Sequence, residues 1–453
     1  MDAVREVTLE DMLRAREARA ERIGRASAEQ ECPLVSFTMN IPGPVKISPL
    51  IRRGFREGLR RLEAALGEAG ISFSLLSREE EFTGCEALYV LYGSAGNVKR
   101  ICVAIENADE LSRLFDLDVI DGGAAVSRTA LGFAERGCMV CGAPGRGCAS
   151  RRIHDADALR QAADRRLAGY FDPADCEAIS KLATRSLLSE VNATPKPGLV
   201  DRSNTGSHRD MDLTLFERSA MALAAFWGEC FTIGRDTAAA PAAETFRKLR
   251  GAGLAAEQAM LAATGGVNTH KGAVFLLGTL CGAAGRLRDR TFPRPTVTEL
   301  LEECGRMTAA AMEADFSAIR ARGGRTAGER LYLTHDLRGA RGEIAAGFPS
   351  VRFTALPALR AALDAGCEYA PSVALLHLIA LGKDTNMFRR GGEDGAVWGA
   401  AEAARLIAGG RIPTLEEIKE LDQRFIKRNL SPGGCADLLA VTLFLQIWEQ
   451  GER

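Results

Sequence analysis

Three polar islands punctuated by glycine interrupt the second half of this 453-residue chain, at positions 192–211, 265–272 and 382–392. Between them the sequence is apolar at helical spacing. Ile179, Leu182, Ala183, Leu187 and Val191 repeat at that period and run directly into the first island. The same periodicity covers 216–233, 272–287, 297–312, 372–381 and 436–448, with abundant alanine and little β-branched alternation. An almost entirely helical domain is predicted. The first island collects Lys196, Asp201, Arg202, Asn204, His208, Arg209 and Asp210. Such a set offers cations to phosphate and carboxylates to a metal or a proton, while glycine lets backbone approach a ligand. Helices that hold several such loops at one end build a polar site, the arrangement of an enzyme.

The first half has a different texture. A charged amphipathic helix is predicted over 9–23, then β-rich runs at 34–39, 71–76, 87–92, 98–105 and 113–120. A helix over 49–66 falls between the first two runs, with Ser48 as its N-cap and proline in its first turn. Strands interleaved with helix indicate a small mixed α/β (or α+β) domain. A chain this long exceeds one core, so the expected fold class is multi-domain: the α/β domain at 1–165, then an all-α domain at 172–453. Asp172-Pro173-Ala174-Asp175 reads as the loop or helix start at that boundary.

Several function classes are excluded by charge and patterning. The formal net charge of −1 gives no global drive toward nucleic acid or an acidic membrane, so any phosphate binding must be local. The uncharged run 272–285 is too short to span a bilayer and reads as a buried helix. The residues through Glu21 are densely charged and carry no signal-peptide pattern. With twelve cysteines at mostly irregular spacing, a cytoplasmic protein with reduced thiols is expected. No Walker motif and no Rossmann glycine fingerprint occurs.

In the first half the sharpest motif is Arg113-Leu114-Phe115-Asp116-Leu117-Asp118-Val119. In a strand Asp116 and Asp118 share a face while Phe115, Leu117 and Val119 enter a core. Two carboxylates so placed can share Mg²⁺ with substrate phosphates, or form a solvated outer face. Lys46, and Arg52 with Arg56 on one helical face, could receive phosphate or an acidic partner surface, or stay solvated. Cys138, Cys141, Cys148 and His154 form C-x2-C-x6-C-x5-H, which can complete a tetrahedral Zn²⁺ site; free thiols are the simpler reading. In the second half Lys196, Arg202, Lys271, Lys383, Arg389 and Arg390 are candidate phosphate partners. Asp201, Asp210, Asp384 and Asp437 are candidate bases or metal ligands, and His208 and His270 fall inside the same islands.

The second half, from about residue 172, resembles triphosphoribosyl-dephospho-CoA synthase. The resemblance rests on Thr194-Pro195-Lys196-Pro197-Gly198-Leu199-Val200-Asp201, Gly266-Val267-Asn268-Thr269-His270-Lys271-Gly272, Gly339-Ala340-Arg341-Gly342-Glu343, Lys383-Asp384-Thr385-Asn386 and Ser431-Pro432-Gly433-Gly434-Cys435-Ala436-Asp437. The first half, to about 160, resembles apo-citrate lyase phosphoribosyl-dephospho-CoA transferase through residues 36–49, 113–121 and the cluster from Cys138 to His154. The chain thus looks like a fusion of the two. The resemblance implies that the helical domain joins ATP to 3′-dephospho-CoA, expelling adenine. The first domain would then transfer phosphoribosyl-dephospho-CoA to a serine of the apo acyl carrier (gamma) subunit of citrate lyase, releasing pyrophosphate. It implies Mg²⁺ at Asp116 and Asp118, and Asp201, Asp210 or Asp384 at the breaking glycosidic bond. Phosphate would be held by Lys46, Arg52, Arg113, Lys196, Arg202, His208, Asn268, His270, Lys271, Arg341, Lys383, Asn386 and Arg389. The equivalent pair serving malonate decarboxylase is an alternative, as is a non-catalytic nucleotide- or carrier-protein-binding protein.

Overall fold

The computed structural model describes residues 5–143, 148, 151–289 and 294–451. It divides into two compact units. One comprises 1–174 with 289–293, the other 175–288 with 294–453.

The first unit is built on a five-stranded antiparallel sheet of order β2-β3-β1-β4-β5, from β1 (Leu34–Met39), β2 (Ser72–Glu81), β3 (Gly84–Tyr92), β4 (Phe115–Asp121) and β5 (Ala124–Ala125). Helices α1 (Leu9–Glu29), α2 (Pro49–Glu68) and α3 (Ala95–Glu106) complete it. The predicted α2 is capped by Ser48, whose hydroxyl accepts the Ile51 N–H at 3.2 Å. One sheet face carries Val35, Phe37, Tyr89, Leu117 and Val119 into a core with Phe55, Leu59 and Leu62 of α2 and Val98, Cys102 and Ile105 of α3. Phe37 stacks on Phe55 at 5.0 Å between centroids and meets Phe115 edge-on at 5.5 Å. Gly58 permits this packing: a Cβ there would lie 2.3 Å from the Phe37 ring. The opposite face packs Leu34, Leu88, Val90 and Ile120 against Ala26 of α1.

In this unit and at its boundary three elements differ from the sequence expectation. The run 98–105, expected as a strand, lies in α3. Val98, Cys102 and Ile105 recur at helical spacing and are buried together, and Ser94 caps the helix at the Asn97 N–H. The run 113–120 starts with a 3-10 turn, Leu111–Leu114, before β4. The expected break at Asp172-Pro173 is instead interior to one helix, Ala156–Asn192. The proline's fixed φ is compatible with a helix, although it cannot donate to the Gly169 carbonyl and its ring crowds that group.

The second unit is helical throughout its regular structure. The uncharged run forms the helix Lys271–Leu287, buried from Ala273 onward except for Phe275, which is partly exposed. It lies in a core with Leu187, Trp227, Phe246, Leu301 and Phe444. A second core gathers Leu375, Leu376 and Ile379 with Leu421, Phe425 and Leu439. The single helix expected at 216–233 is two, Leu213–Ala222 and Ala224–Asp236. No helix among the described residues is long and apolar enough to cross a membrane.

Candidate active sites

In β4 strict alternation buries Phe115, Leu117 and Val119 and leaves Asp116 partly exposed and Asp118 exposed on the other face. Their partners across β1 are Thr38 and Ser36. Both aspartates line a cavity of about 940 Å³. Around them stand six basic side chains (Lys46, Lys99, Arg113, Arg128, Arg136 and Arg152) and two further acids, Glu106 and Glu135. The excess of cations suits a polyanion, and the paired carboxylates suit a divalent ion.

The walls are held by backbone carbonyls. Arg136 donates to the carbonyls of Phe115 at 2.7 Å and Arg113 at 2.9 Å, and its guanidinium lies 3.5 Å from Asp116. Arg113 donates to the Gly137 carbonyl at 2.8 Å, and Lys46 to the Ile41 carbonyl at 2.6 Å. Burial pulls the Lys46 ammonium below its usual value, helped by Arg16. Buried Lys99 and Glu106 of α3 grip the peptide groups of Leu117. Glu106 accepts its N–H at 2.9 Å and Lys99 donates to its carbonyl at 2.8 Å. Desolvation pushes Glu106 up. Although Asp118 retains solvent exposure, the crowded walls, and then the charge on Asp116, push it up as well. Arg52 does not line this cavity. Its guanidinium lies 3.9 Å from the Glu80 carboxylate, which Arg56 also engages at 3.2 Å. Cys138, Cys148 and His154 line the same cavity, and with Cys141 they bring one donor atom each within 4.8 Å of one another.

In the helical unit the islands meet although far apart in sequence. Ser207 donates to the Leu430 carbonyl at 2.6 Å, and His208 Nε2 pairs with the Ser431 hydroxyl at 2.8 Å. Arg390 donates to His208 Nδ1 at 3.2 Å. Both ring nitrogens of His208 are thus engaged, which makes it a tie between loops. Burial, then the Arg390 charge, lowers its pKa to about 4. Asp201 is likewise absorbed: it accepts the Lys196 N–H at 3.0 Å, the Ser203 N–H and hydroxyl at 2.7 and 2.6 Å, and the Asn204 N–H at 3.1 Å. Asp384 caps two helices. One oxygen takes the N–H groups of Asn386 and Met387 at 2.8 and 3.0 Å, the other that of Cys435 at 2.8 Å. Both carboxylates are thus occupied by donors of the loops and helix ends. Asp210 is exposed, 4.0 Å from His208.

A buried charged group lies beneath the loops. Lys196, 2% exposed, contacts Glu190, 5% exposed, at 2.5 Å. Burial raises Glu190 against the opposing pull of Lys196. Asp437 lies against the N-terminus of the helix Lys271–Leu287, beside Gly272 and Ala273. Desolvation, then Glu190 and Asp384, push it well above the ordinary carboxylate range. Gly272 makes room, since a Cβ there would lie 1.9 Å from Asp437 Oδ2. His270 is buried too. Thr269 donates to Ser219 at 2.7 Å, leaving the Ser219 hydrogen for His270 Nδ1 at 2.7 Å. With the Ser219 hydrogen given to Nδ1, the ring carries its proton on Nε2, which has no partner among the described residues. Burial, then Lys196, holds the His270 pKa near 3, so the ring is a neutral donor.

The expected cations divide between surface and interior. Lys271 pairs with Glu257 at 2.7 Å on the surface, and exposed Arg202 donates to Asn192 at 2.7 Å. Asn268 accepts the Lys271 N–H at 3.3 Å, and Arg389 donates to Asn386 at 3.3 Å. Lys383 and Arg389 are exposed beside the Asp384 cap, and Arg341 is partly buried on the helix Gly339–Ala345. Sequence reasoning missed Lys99, Glu106, Arg136 and Glu190. Each reads as the polar face of a helix or loop until its neighbour is known.

A family model described as ATP:dephospho-CoA triphosphoribosyl transferase matches residues 176–453, and one described as apo-citrate lyase phosphoribosyl-dephospho-CoA transferase matches 7–170. The chain is 33% identical to Protein CitXG of Haemophilus influenzae, covering 97% of this chain and 96% of that one. The chain belongs to both families. The fusion is also 33% identical to Protein CitXG of Leuconostoc mesenteroides, covering 91% of each chain. Its helical part is 45% identical to 2-(5''-triphosphoribosyl)-3'-dephosphocoenzyme-A synthase of Pectobacterium atrosepticum, covering 59% of this chain and 88% of the relative. The fusion is a multifunctional transferase of citrate lyase prosthetic-group biosynthesis.

Proposed function

We propose that the helical unit uses Asp437, Glu190, Lys196 and His270 to join ATP to 3′-dephospho-CoA. The 2′-hydroxyl attacks C1 of the ATP ribose and adenine leaves, producing 2′-(5″-triphosphoribosyl)-3′-dephospho-CoA. Positive charge develops on the ribose as the N-glycosidic bond breaks, so buried carboxylates stabilise it in a low-dielectric setting. Asp437 takes the proton of the attacking hydroxyl. Desolvation raises its affinity for a proton above that of an exposed carboxylate. His270 Nε2–H and Lys196 donate to oxygens of the bound nucleotide, with Lys383, Arg389 and Arg341 as the outer candidates for the triphosphate. Of the carboxylates first expected there, Asp201 and Asp384 are engaged by the loops, and Asp210 lies at the surface.

In the α/β unit the serine hydroxyl of the apo acyl carrier subunit of citrate lyase attacks the α-phosphorus of that product, and pyrophosphate leaves. Lys46, Arg113 and Arg136 hold the phosphates, and Asp116 and Asp118 orient the reacting end. Mg²⁺ bound by these two carboxylates would neutralise charge building on the phosphate oxygens. The fit rests on their shared strand face and on the mutual repulsion that a cation would relieve.

The observation that carries this division is that each unit has its own carboxylate pair: Asp116 and Asp118 face a cation-rich cavity, and buried Glu190 lies with partly buried Asp437 in the helical unit. Asp116→Asn should lower carrier modification by about 10²-fold or more while adenine release continues. Asp437→Asn should do the reverse, sparing transfer from supplied intermediate. Mass analysis of the carrier and chromatography of adenine separate the two. Joint loss of both activities from one folded variant would overturn the assignment. Offering the apo carrier of malonate decarboxylase beside that of citrate lyase tests the choice of partner.

A further inference from the structure

We propose that Cys138, Cys141, Cys148 and His154 bind one zinc ion, which fixes the cavity wall that carries Arg113 and Arg136. The four donor atoms lie within 4.8 Å of one another. Cys141 Sγ is 3.4 Å from Cys148 Sγ and 3.2 Å from His154 Nε2. Bond lengths of about 2.3 Å to sulfur and 2.0–2.1 Å to nitrogen put tetrahedral ligands about 3.8 Å (S to S) and 3.6 Å (S to N) apart. The cluster therefore reaches zinc geometry by adjustments of about an ångström. Among the described residues it is the sole group of three or more such donors that converges in this way.

The local backbone is shaped around the sulfurs. The Val140 N–H points at Cys138 Sγ from 3.4 Å, as suits a thiolate acceptor. The Gly142 N–H closes the turn on the Cys138 carbonyl at 2.9 Å, with Gly142 at φ +73°. A Cβ on Gly137 would lie 2.5 Å from the Gly142 carbonyl oxygen, so this crossing also needs glycine. The Ile153 N–H donates to the Cys148 carbonyl at 3.2 Å and brings His154 back to the group. A Cys141–Cys148 disulfide would account for two of the four residues and leave Cys138 and His154 beside it without a role. Three thiolates and an imidazole exclude Mg²⁺ and Ca²⁺ and favour zinc. With four protein ligands no position stays open, so the ion is structural.

Its consequence follows from the chain leading to Cys138. Arg136 grips the carbonyls of Phe115 and Arg113, and Gly137 receives Arg113. Zinc anchors the next residue, so one short segment is fastened to β4 at one end and to the metal at the other. Losing the ion would loosen both guanidinium groups in the cavity.

Elemental analysis of the full-length chain, purified without chelator, should find about one zinc per chain. Cys141→Ser and His154→Ala should lose most of it. If those variants fail to fold, the native chain still decides the matter. Titrating its thiols with a mercurial beside a zinc-binding dye should release the ion. A native chain that holds no zinc and takes up none from a zinc salt would overturn the site. So would an intact mass about 2 Da below the reduced value without metal, the mark of a disulfide. Zinc content does not depend on where transfer occurs. The second readout rests on the proposed role of the cavity: the zinc-free chain should modify the carrier at least about 10-fold more slowly, with adenine release unchanged. Equal modification rates with and without zinc would refute the positioning role.

Discussion

Replacing Gly272 by alanine tests the proposed base without touching a charged residue. Its added methyl carbon would lie 1.9 Å from Asp437 Oδ2, 2.6 Å from Cγ and 3.1 Å from Oδ1, so the carboxylate must leave its place at the helix N-terminus. The backbone gains from the change, because alanine is favoured over glycine in a helix by up to about 1 kcal/mol. Forcing an extra carbon into a packed site costs about 1–3 kcal/mol, so the net stability loss should stay within about 2 kcal/mol. The catalytic loss should be far larger. General-base catalysis contributes about 10²–10⁴-fold, and a displaced base forfeits most of that. Adenine released from ATP plus 3′-dephospho-CoA, measured by chromatography, should fall by at least about 10²-fold. A thermal melt should remain cooperative. Transfer of supplied triphosphoribosyl intermediate to apo carrier should run at the native rate, because Gly272 belongs to the other unit. A folded variant that releases adenine within about threefold of the native rate, far inside that range, would refute Asp437 as the base.

Two further outcomes follow from buried groups. His270, held near pKa 3 against 6.5 when unfolded, favours the fold while neutral. That contribution is complete above pH 6.5 and is lost as pH falls toward 3, at about 1.4 kcal/mol per unit. His270→Gln removes it. Urea unfolding at pH 7.5 and 5.0 should show the native chain losing about 2 kcal/mol more than the variant, and equal losses would contradict the burial argument. In the α/β unit, Gly58→Ala would set a methyl carbon 2.3 Å from the Phe37 ring and 3.2 Å from that of Phe115. Overpacking should destabilise that unit by about 1–3 kcal/mol despite the better helix former. An unchanged melting temperature would mean that the aromatic cluster yields without cost.

What the sequence made legible was period, and what it concealed was pairing. Alternation over 115–119 correctly sent Asp116 and Asp118 to one face, because a half-buried strand leaves no other choice. The uncharged run at 272–285 is a buried helix, as its composition required. The run at 98–105 went the other way. Its Val98, Cys102 and Ile105 fit a helix, while Val103 and Ile105 also fit alternation, and the Ser94 cap was the signal that separates them. Pro173 misled because a proline marks a helix start more often than a helix interior. At the sites the difficulty was of another kind. Asp384 and Asp201 have the residue type of a base, yet Asp201 is engaged by N–H groups of its own loop and Asp384 by those of two helix N-termini. Asp437 was one aspartate among several until its place opposite Gly272 was known. Glu190 lay inside an apolar helical pattern and gave no sign that Lys196 would fold back onto it.

The two carboxylate pairs differ in the way their proposed reactions differ. Displacement at the ribose builds positive charge on carbon, and it is served by carboxylates withdrawn from water, where their field is least screened. Glu190 is buried and Asp437 partly so, and desolvation raises the pKa of both. Phosphoryl transfer spreads negative charge over oxygens, where a bare carboxylate would repel it. Asp116 and Asp118 accordingly stand in a cavity with six basic side chains. A carboxylate pair of the second kind placed in the helical unit would keep its charge screened by solvent and cations. One of the first kind placed on β4 would oppose the triphosphate it must receive. The residue types are the same, and it is burial together with the sign of the surrounding charge that suits each pair to its reaction.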